Sequence, residues 1–252
     1  MPLTSRRPEA IHKVAAIQYR AVQGDKPWNI VALTGLITEA AADGARIIVL
    51  PEMCTTGFTL EGVGEARLHA EPIPGPSTRS FSQLAAQHGI YLVLGLAEHD
   101  PATDKFYNTQ IVLDPSGQLI GKYRKINLFG PDLNWSERGN LGYQAVDVEG
   151  CRIGLGICCD INYPGFVDFF TETAVRIVTF STNWVSDELP FPYWSEMVAD
   201  GGFCFVAANN WGKEGTICFS GGSVILSSDG SVLAQSAPSA DTILYADINF
   251  NH

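Results

Sequence analysis

Residues 152–164 read R-I-G-L-G-I-C-C-D-I-N-Y-P. An apolar run of strand length stops at Cys158, Asn162-Tyr163-Pro164 makes a turn, and residues 166–175 follow with helix-like spacing. Strand, sharp turn and helix in that order would hold Cys158 proud of a sheet, as in a nucleophile elbow built with sulfur. At a helix N-terminus the unpaired backbone N–H groups favour a thiolate. The same residue also reads as a buried core cysteine, since free Cys is among the most buried residue types. Successive side chains alternate across a strand, so regular pairing would turn Cys159 to the opposite face and leave one of the two as structural.

Outward from this segment, strand and helix alternate. Residues 12–19 (H-K-V-A-A-I-Q-Y) predict a buried strand, residues 28–42 an amphipathic helix stopped by Gly44, and residues 46–50 (R-I-I-V-L) a second strand. The cycle recurs, with a helix over 77–88 capped by Ser77 or Thr78 and ended by Gly89, and a strand over 91–97. This is the pattern of an α/β chain. Residues 109–121 and 223–235 each read as strand, Gly-containing turn and strand, which predicts two hairpins and suggests a duplicated half. No compositional break marks a boundary, so residues 1–252 read as one domain.

Composition excludes several classes. Sixteen Lys and Arg against 27 Asp and Glu give a net charge of −11, and the only basic runs are Arg6-Arg7 and residues 122–125, which argues against a nucleic-acid binder. With 46% apolar and 17% charged residues the chain has enough to bury for a sizeable core. Residues 1–9 lack the apolar stretch of a signal peptide. The longest uncharged run, 80–97, contains Ser82, Gln83, Gln87 and His88 and does not read as a membrane span. Six cysteines are too sparse for a disulfide scaffold, and a reducing cytoplasm is expected.

Three apolar strands end in a reactive residue: 46–50 in Pro51-Glu52, 118–120 through Gly121 to Lys125, and 152–157 in Cys158. Strand ends in helix-covered sheets are where distant residues meet in one crevice. None of the five histidines has a comparable position, so the base for a Cys nucleophile is read as a carboxylate, with Glu52 the candidate. Alone, Glu52 also reads as a salt-bridged turn residue. Adjacent Cys158 and Cys159 lack zinc-site spacing, so no metal is expected. Gly154-x-Gly156 has Cys159 where a dinucleotide loop needs its third Gly, and neither a phosphate-loop nor a serine-elbow motif occurs.

Taken in order, Pro51-Glu52-Met53, residues 123–129 (Y-R-K-I-N-L-F) and residues 157–164 (I-C-C-D-I-N-Y-P) resemble the nitrilase superfamily of carbon–nitrogen hydrolases. Tyr107-Asn108-Thr109, Ser181-Thr182-Asn183-Trp184, residues 207–210 and Gly221-Gly222-Ser223 extend the resemblance over residues 14–248. It implies a four-layer αββα sandwich of two mixed β-sheets and a triad of Glu52, Lys125 and Cys158, with Glu137 as a second glutamate. It also implies an oxyanion donor at the Cys159 N–H, contacts to substrate from Asn183 and Trp184, no cofactor, and pairing into a homodimer or higher homo-oligomer. The chain ends at Asn251-His252, before the tail with which many members complete their pairing, which implies a looser assembly. Nitrile-cleaving members typically have Trp after the nucleophile, whereas Cys158-Cys159-Asp160 resembles the amidase branches. The implied reaction is hydrolysis of a small linear amide, ureido acid or dicarboxylic monoamide through a cysteine thioester, releasing ammonia or an amine. Nitrile hydrolysis, acyl transfer and an inactive binding relative are the alternatives. Trp135, Trp184, Phe191 and Trp194 are candidates to wall the pocket.

Overall fold

A computed structural model describes residues 11–249. The readings made on residues 1–9 and on Asn251-His252 lie outside the described residues. Along the chain run β1 (Ile11–Gln18), α1 (Lys26–Ala42), β2 (Ile47–Val49), α2 (Val63–His69), α3 (Pro76–His88), β3 (Tyr91–Asp100), β4 (Lys105–Leu113), β5 (Leu119–Arg124) and α4 (Asp132–Trp135). The chain continues with β6 (Gln144–Val148), β7 (Cys151–Ile157), a 3-10 turn (Cys158–Asn162), α5 (Pro164–Glu172), β8 (Ile177–Thr182), α6 (Phe191–Gly201) and β9 (Cys204–Asn209). Then come β10 (Trp211–Glu214), β11 (Ile217–Ser220), β12 (Val224–Leu226), β13 (Val232–Gln235) and β14 (Thr242–Asn249).

These strands form two six-stranded sheets, ordered β14-β1-β2-β3-β4-β5 and β13-β12-β9-β8-β7-β6, plus the small β10–β11 hairpin. In the first sheet β1, β2 and β3 are parallel while β4, β5 and β14 run antiparallel to their neighbours. In the second, β7, β8 and β9 are parallel while β12, β13 and β6 run antiparallel. The two sheets are thus mixed and follow one topology, with β1 to β5 answered by β7, β8, β9, β12 and β13. Both hairpins read from the sequence are present, as β4–β5 and β12–β13.

Side-chain alternation builds the layers. Val14, Ala16, Ile47 and Val49 of the first sheet meet Ile153, Leu155, Val206 and Ala208 of the second between the sheets. On the first sheet's outer face Ala15, Ile17, Ile48 and Leu50 pack under Leu33 and Ile37 of α1 and Phe81 of α3. On the second sheet's outer face Val178, Phe180 and Phe205 pack under Phe166 and Phe170 of α5 and Trp194 of α6. The order is therefore helix, sheet, sheet, helix, the αββα sandwich expected. Strands covered on both faces are apolar throughout, which is why 47–49 and 177–178 read as unbroken Ile and Val.

One local expectation changes. Helix α3 begins at Pro76 after Gly75, with Ser77 bonded to the Glu71 carboxylate instead of capping the helix. The glycines of R-I-G-L-G-I serve packing: a Cβ at Gly154 would lie 2.6 Å from the Phe170 ring, and one at Gly156 would lie 2.5 Å from Phe166. Among the described residues no helix is long and apolar enough to cross a membrane.

Candidate active site

Three chain segments that leave the strand ends of both sheets bring Glu52, Lys125 and Cys158 together. After β2 the chain turns at Pro51-Glu52 over Gly95 of β3, where a Cβ would sit 2.6 Å from Glu52 Cα, so only glycine admits this close backbone approach. After β5, Lys125 N–H donates to the Asn108 carbonyl of β4 at 2.8 Å. A Cβ at Gly139 would lie 1.9 Å from the Arg124 carbonyl, so the following loop folds closely onto the same backbone. Arg124 pins the strand by donating to both Glu98 oxygens, at 2.9 and 2.7 Å.

Glu52 and Lys125 are both buried. Lys125 Nζ donates to Glu52 Oε1 at 2.7 Å and to Asp132 Oδ2 at 2.6 Å. Asn108 Nδ2 bridges the same carboxylates, reaching Glu52 Oε1 at 2.7 Å and Asp132 Oδ1 at 2.9 Å. Glu52 Oε2 accepts the Asn183 backbone N–H at 2.8 Å, and Asn183 Nδ2 donates to the Glu52 carbonyl at 3.0 Å. Buried charges persist when paired and hydrogen-bonded, and both conditions are met here.

Cys158 stands at the first residue after β7 with φ of +47°, a left-handed conformation uncommon away from glycine. The turn is held by Asp160, whose Oδ2 accepts Ile157 N–H at 3.1 Å and the Tyr123 hydroxyl at 2.8 Å. Its other oxygen, Oδ1, accepts Asn127 Nδ2 at 2.9 Å. Helix α5 starts only at Pro164, so a 3-10 turn separates the sulfur from it. The left-handed step at Cys158 breaks strand alternation, and both Cys158 and Cys159 face one cavity, contrary to the expectation that they point apart. Cys159 Sγ–H donates to the Asn127 carbonyl.

That cavity has a volume of about 280 Å³. Phe129, Trp184 and Val185 form its apolar wall, and Asn162 and Ser186 add uncharged polar groups. Of the four aromatic residues considered as wall, only Trp184 lines it. Trp135 and Trp194 are core residues at 3% and 0% exposure, and Phe191 packs on the α5–α6 cluster. Asn183 is not among the residues lining that cavity; its backbone N–H and Nδ2 donate to Glu52, and its carbonyl accepts from Cys158 Sγ–H at 4.0 Å.

Glu137 is not brought to this site. Its side chain is 55% exposed and its carboxylate faces Lys105 at 3.7 Å, because the loop carries it outward beyond the short helix α4. The second carboxylate on Lys125 is Asp132, at the start of that helix. The sequence does not single out Asp132 or Asn108: Asn108 carries only a segment resemblance, and Pro131-Asp132 has the composition of any exposed turn.

Electrostatics follow from burial. Burial raises the Glu52 carboxyl above the ordinary glutamate range, against the lowering pull of Lys125. For Lys125 burial acts downward, yet Asp132 and Glu52 outweigh it and hold the ammonium well above the ordinary lysine value. Burial, reinforced by Glu52, pushes the Cys158 thiol well above its usual value although Lys125 opposes it. Burial also pushes the Cys159 thiol to about 12 and the Asp160 carboxyl to about 6. Burial thus favours the protonated thiol, while the paired carboxyl groups favour the charged Lys125, an arrangement suited to removing the thiol proton only as sulfur attacks. Among the described residues no group of three or more His, Cys, Asp or Glu converges to hold a metal ion.

Residues 13–252 match the family model described as carbon-nitrogen hydrolase. The chain belongs to the carbon–nitrogen hydrolase family. This carbon–nitrogen hydrolase is 31% identical to a nitrilase of Pyrococcus abyssi, over 94% of this chain and 89% of that one. It is 29% identical to omega-amidase NIT2 of Homo sapiens, over 94% of this chain and 88% of that one. Its fold matches an amidase from Nesterenkonia sp. with TM-score 0.84 at 21% identity, covering 97% of this chain and 92% of that one. These likenesses place the hydrolase in the nitrilase superfamily.

Proposed function

We propose that this carbon–nitrogen hydrolase cleaves the non-peptide C–N bond of a small amide through a thioester on Cys158. The observation that carries the reading is the buried Glu52–Lys125 pair, 2.7 Å apart and electrostatically coupled to a thiol that lines a small cavity. Names of relatives support the same class, since amidases recur among them.

Glu52 takes the Cys158 proton as sulfur attacks the amide carbon. The oxyanion forms against the Lys125 ammonium and the Cys159 backbone N–H. Protonated Glu52 returns the proton to nitrogen, the C–N bond breaks and ammonia or an amine leaves. Glu52 then removes a proton from water, which attacks the thioester and releases the acid, with the proton returning to sulfur. Lys125 holds its proton throughout, because Glu52 and Asp132 both favour the charged amine. Asp132 and Asn108 act as positioning residues through Lys125 and Glu52.

In the same reading the chain works as a single domain over residues 1–252, without a cofactor, as a cytoplasmic homodimer. Six unpaired cysteines support a reducing compartment. The partly exposed Tyr163 and Tyr193 on the α5–α6 side suit a pairing face, which sedimentation equilibrium tests. The chemistry is tested by adding hydroxylamine during turnover of a simple amide. A hydroxamate product is expected with hydroxylamine and, in its absence, an acyl adduct mapped to Cys158, and ammonia release that survives Cys158→Ala would refute the assignment.

A further inference from the structure

The wall of the Cys158 cavity carries no lysine or arginine among the described residues. Its apolar members are Phe129, Trp184 and Val185, and its polar members, Asn162 and Ser186, are uncharged. The ammonium coupled to the thiol, Lys125, is 0% exposed and already faces two carboxylates at 2.7 and 2.6 Å. Two carboxyl groups, those of Glu52 and Asp132, already share the one Lys125 ammonium at the floor of the site. A second anion entering this cavity would lose water and meet no counter-charge. At about 280 Å³ the cavity lies just below the ~300–1,000 Å³ range of pockets for drug-sized ligands, which restricts it to short molecules.

We infer that the site selects short amides whose far end is uncharged, with an apolar aliphatic or small aryl tail against Phe129, Trp184 and Val185, and rejects amides ending in a carboxylate. This rests on the amidase reading and narrows it to one substrate class. Apolar contact gives graded preference among tails, whereas an unpaired charge gives a sharp exclusion.

Two substrates of matched shape separate the alternatives: succinamate, which ends in a carboxylate, and 4-oxopentanamide, which places a neutral acetyl group there. At pH 8, with ammonia release as readout, kcat/KM for 4-oxopentanamide and for butyramide is expected to exceed that for succinamate at least tenfold, and on the order of 10²-fold given the cost of a desolvated charge. A gap below tenfold, or a reversed one, overturns the inference. Calorimetric binding of the same compounds to Cys158→Ala reads selection without turnover. Neutral amides binding there while the wild type releases no ammonia would uphold the selection and refute the hydrolase chemistry. Val185→Arg supplies the missing cation at a partly exposed wall position and is expected to shrink the succinamate gap at least tenfold. An unchanged gap would overturn the claim that charge sets the preference.

Discussion

The two sheets share one topology and differ in what stands at their ends and under their helices. The residue after β1 is Tyr19, whereas its counterpart after β7 is Cys158. The chain leaving β2 carries Glu52, while the chain leaving β8 carries Asn183, which hydrogen-bonds that same glutamate. Lys125, Asn108 and Asp132 all come from the first half, so that half holds the ionised network and the second holds the sulfur and the Trp184 wall. The outer layers differ in a matching way. Ala15 and Ile17 of β1 face the largely aliphatic layer beneath α1 and α3, while Gly154 and Gly156 at the corresponding places in β7 admit the rings of α5. Repeated architecture thus supplies positions, and side-chain chemistry at a few of them divides the labour.

Removing the second half's contribution has the largest expected effect. Cys158→Ala should lower ammonia release by on the order of 10⁴-fold or more while leaving the melting temperature nearly unchanged. Lys125→Met should cost about 10²–10³-fold in turnover. It should also cost about 3–5 kcal/mol in urea denaturation, because two buried carboxylates lose their partner. Adding Asp132→Asn to Lys125→Met should recover part of that stability and none of the activity. Gly156→Ala should destabilise by about 1–3 kcal/mol through overpacking against Phe166, and Phe166→Leu in the same chain should offset it.

Smaller effects test the charge network. Glu52 works as a base only when ionised, and its pKa is raised, so the acid limb of kcat/KM should lie above the ordinary glutamate value of about 4.3, with activity falling as pH drops through it. The Asp132 charge contributes to that rise, so Asp132→Asn should move the limb to lower pH. Glu137→Gln should change turnover less than about twofold, because an exposed carboxylate facing Lys105 is a surface pair.

Strand-length apolar runs made most of the sandwich legible, since strands buried on both faces must be apolar at every position. The residue at each strand end was equally visible: Glu52, Lys125 and Cys158 break the pattern where apolar runs stop. What was hidden lies in loops. Nothing local distinguishes buried Asp132 from exposed Glu137, five residues later, because the difference depends on where the chain folds back onto Arg124 and Lys125 at Gly139. Cys159 was misdirected because strand alternation assumes a regular backbone, and the left-handed residue at Cys158 ends that regularity.

Glu52 accepts a main-chain hydrogen bond from Asn183 across the seam between the sheets, 131 positions away in sequence. Lys125 and Asn108 of the same half hold only Oε1 of that carboxylate, so the grip on Oε2 waits for the second half. Recovery of turnover after dilution from denaturant should therefore trail the return of helical circular dichroism, with enzymatic competence marking the final meeting of the two layers.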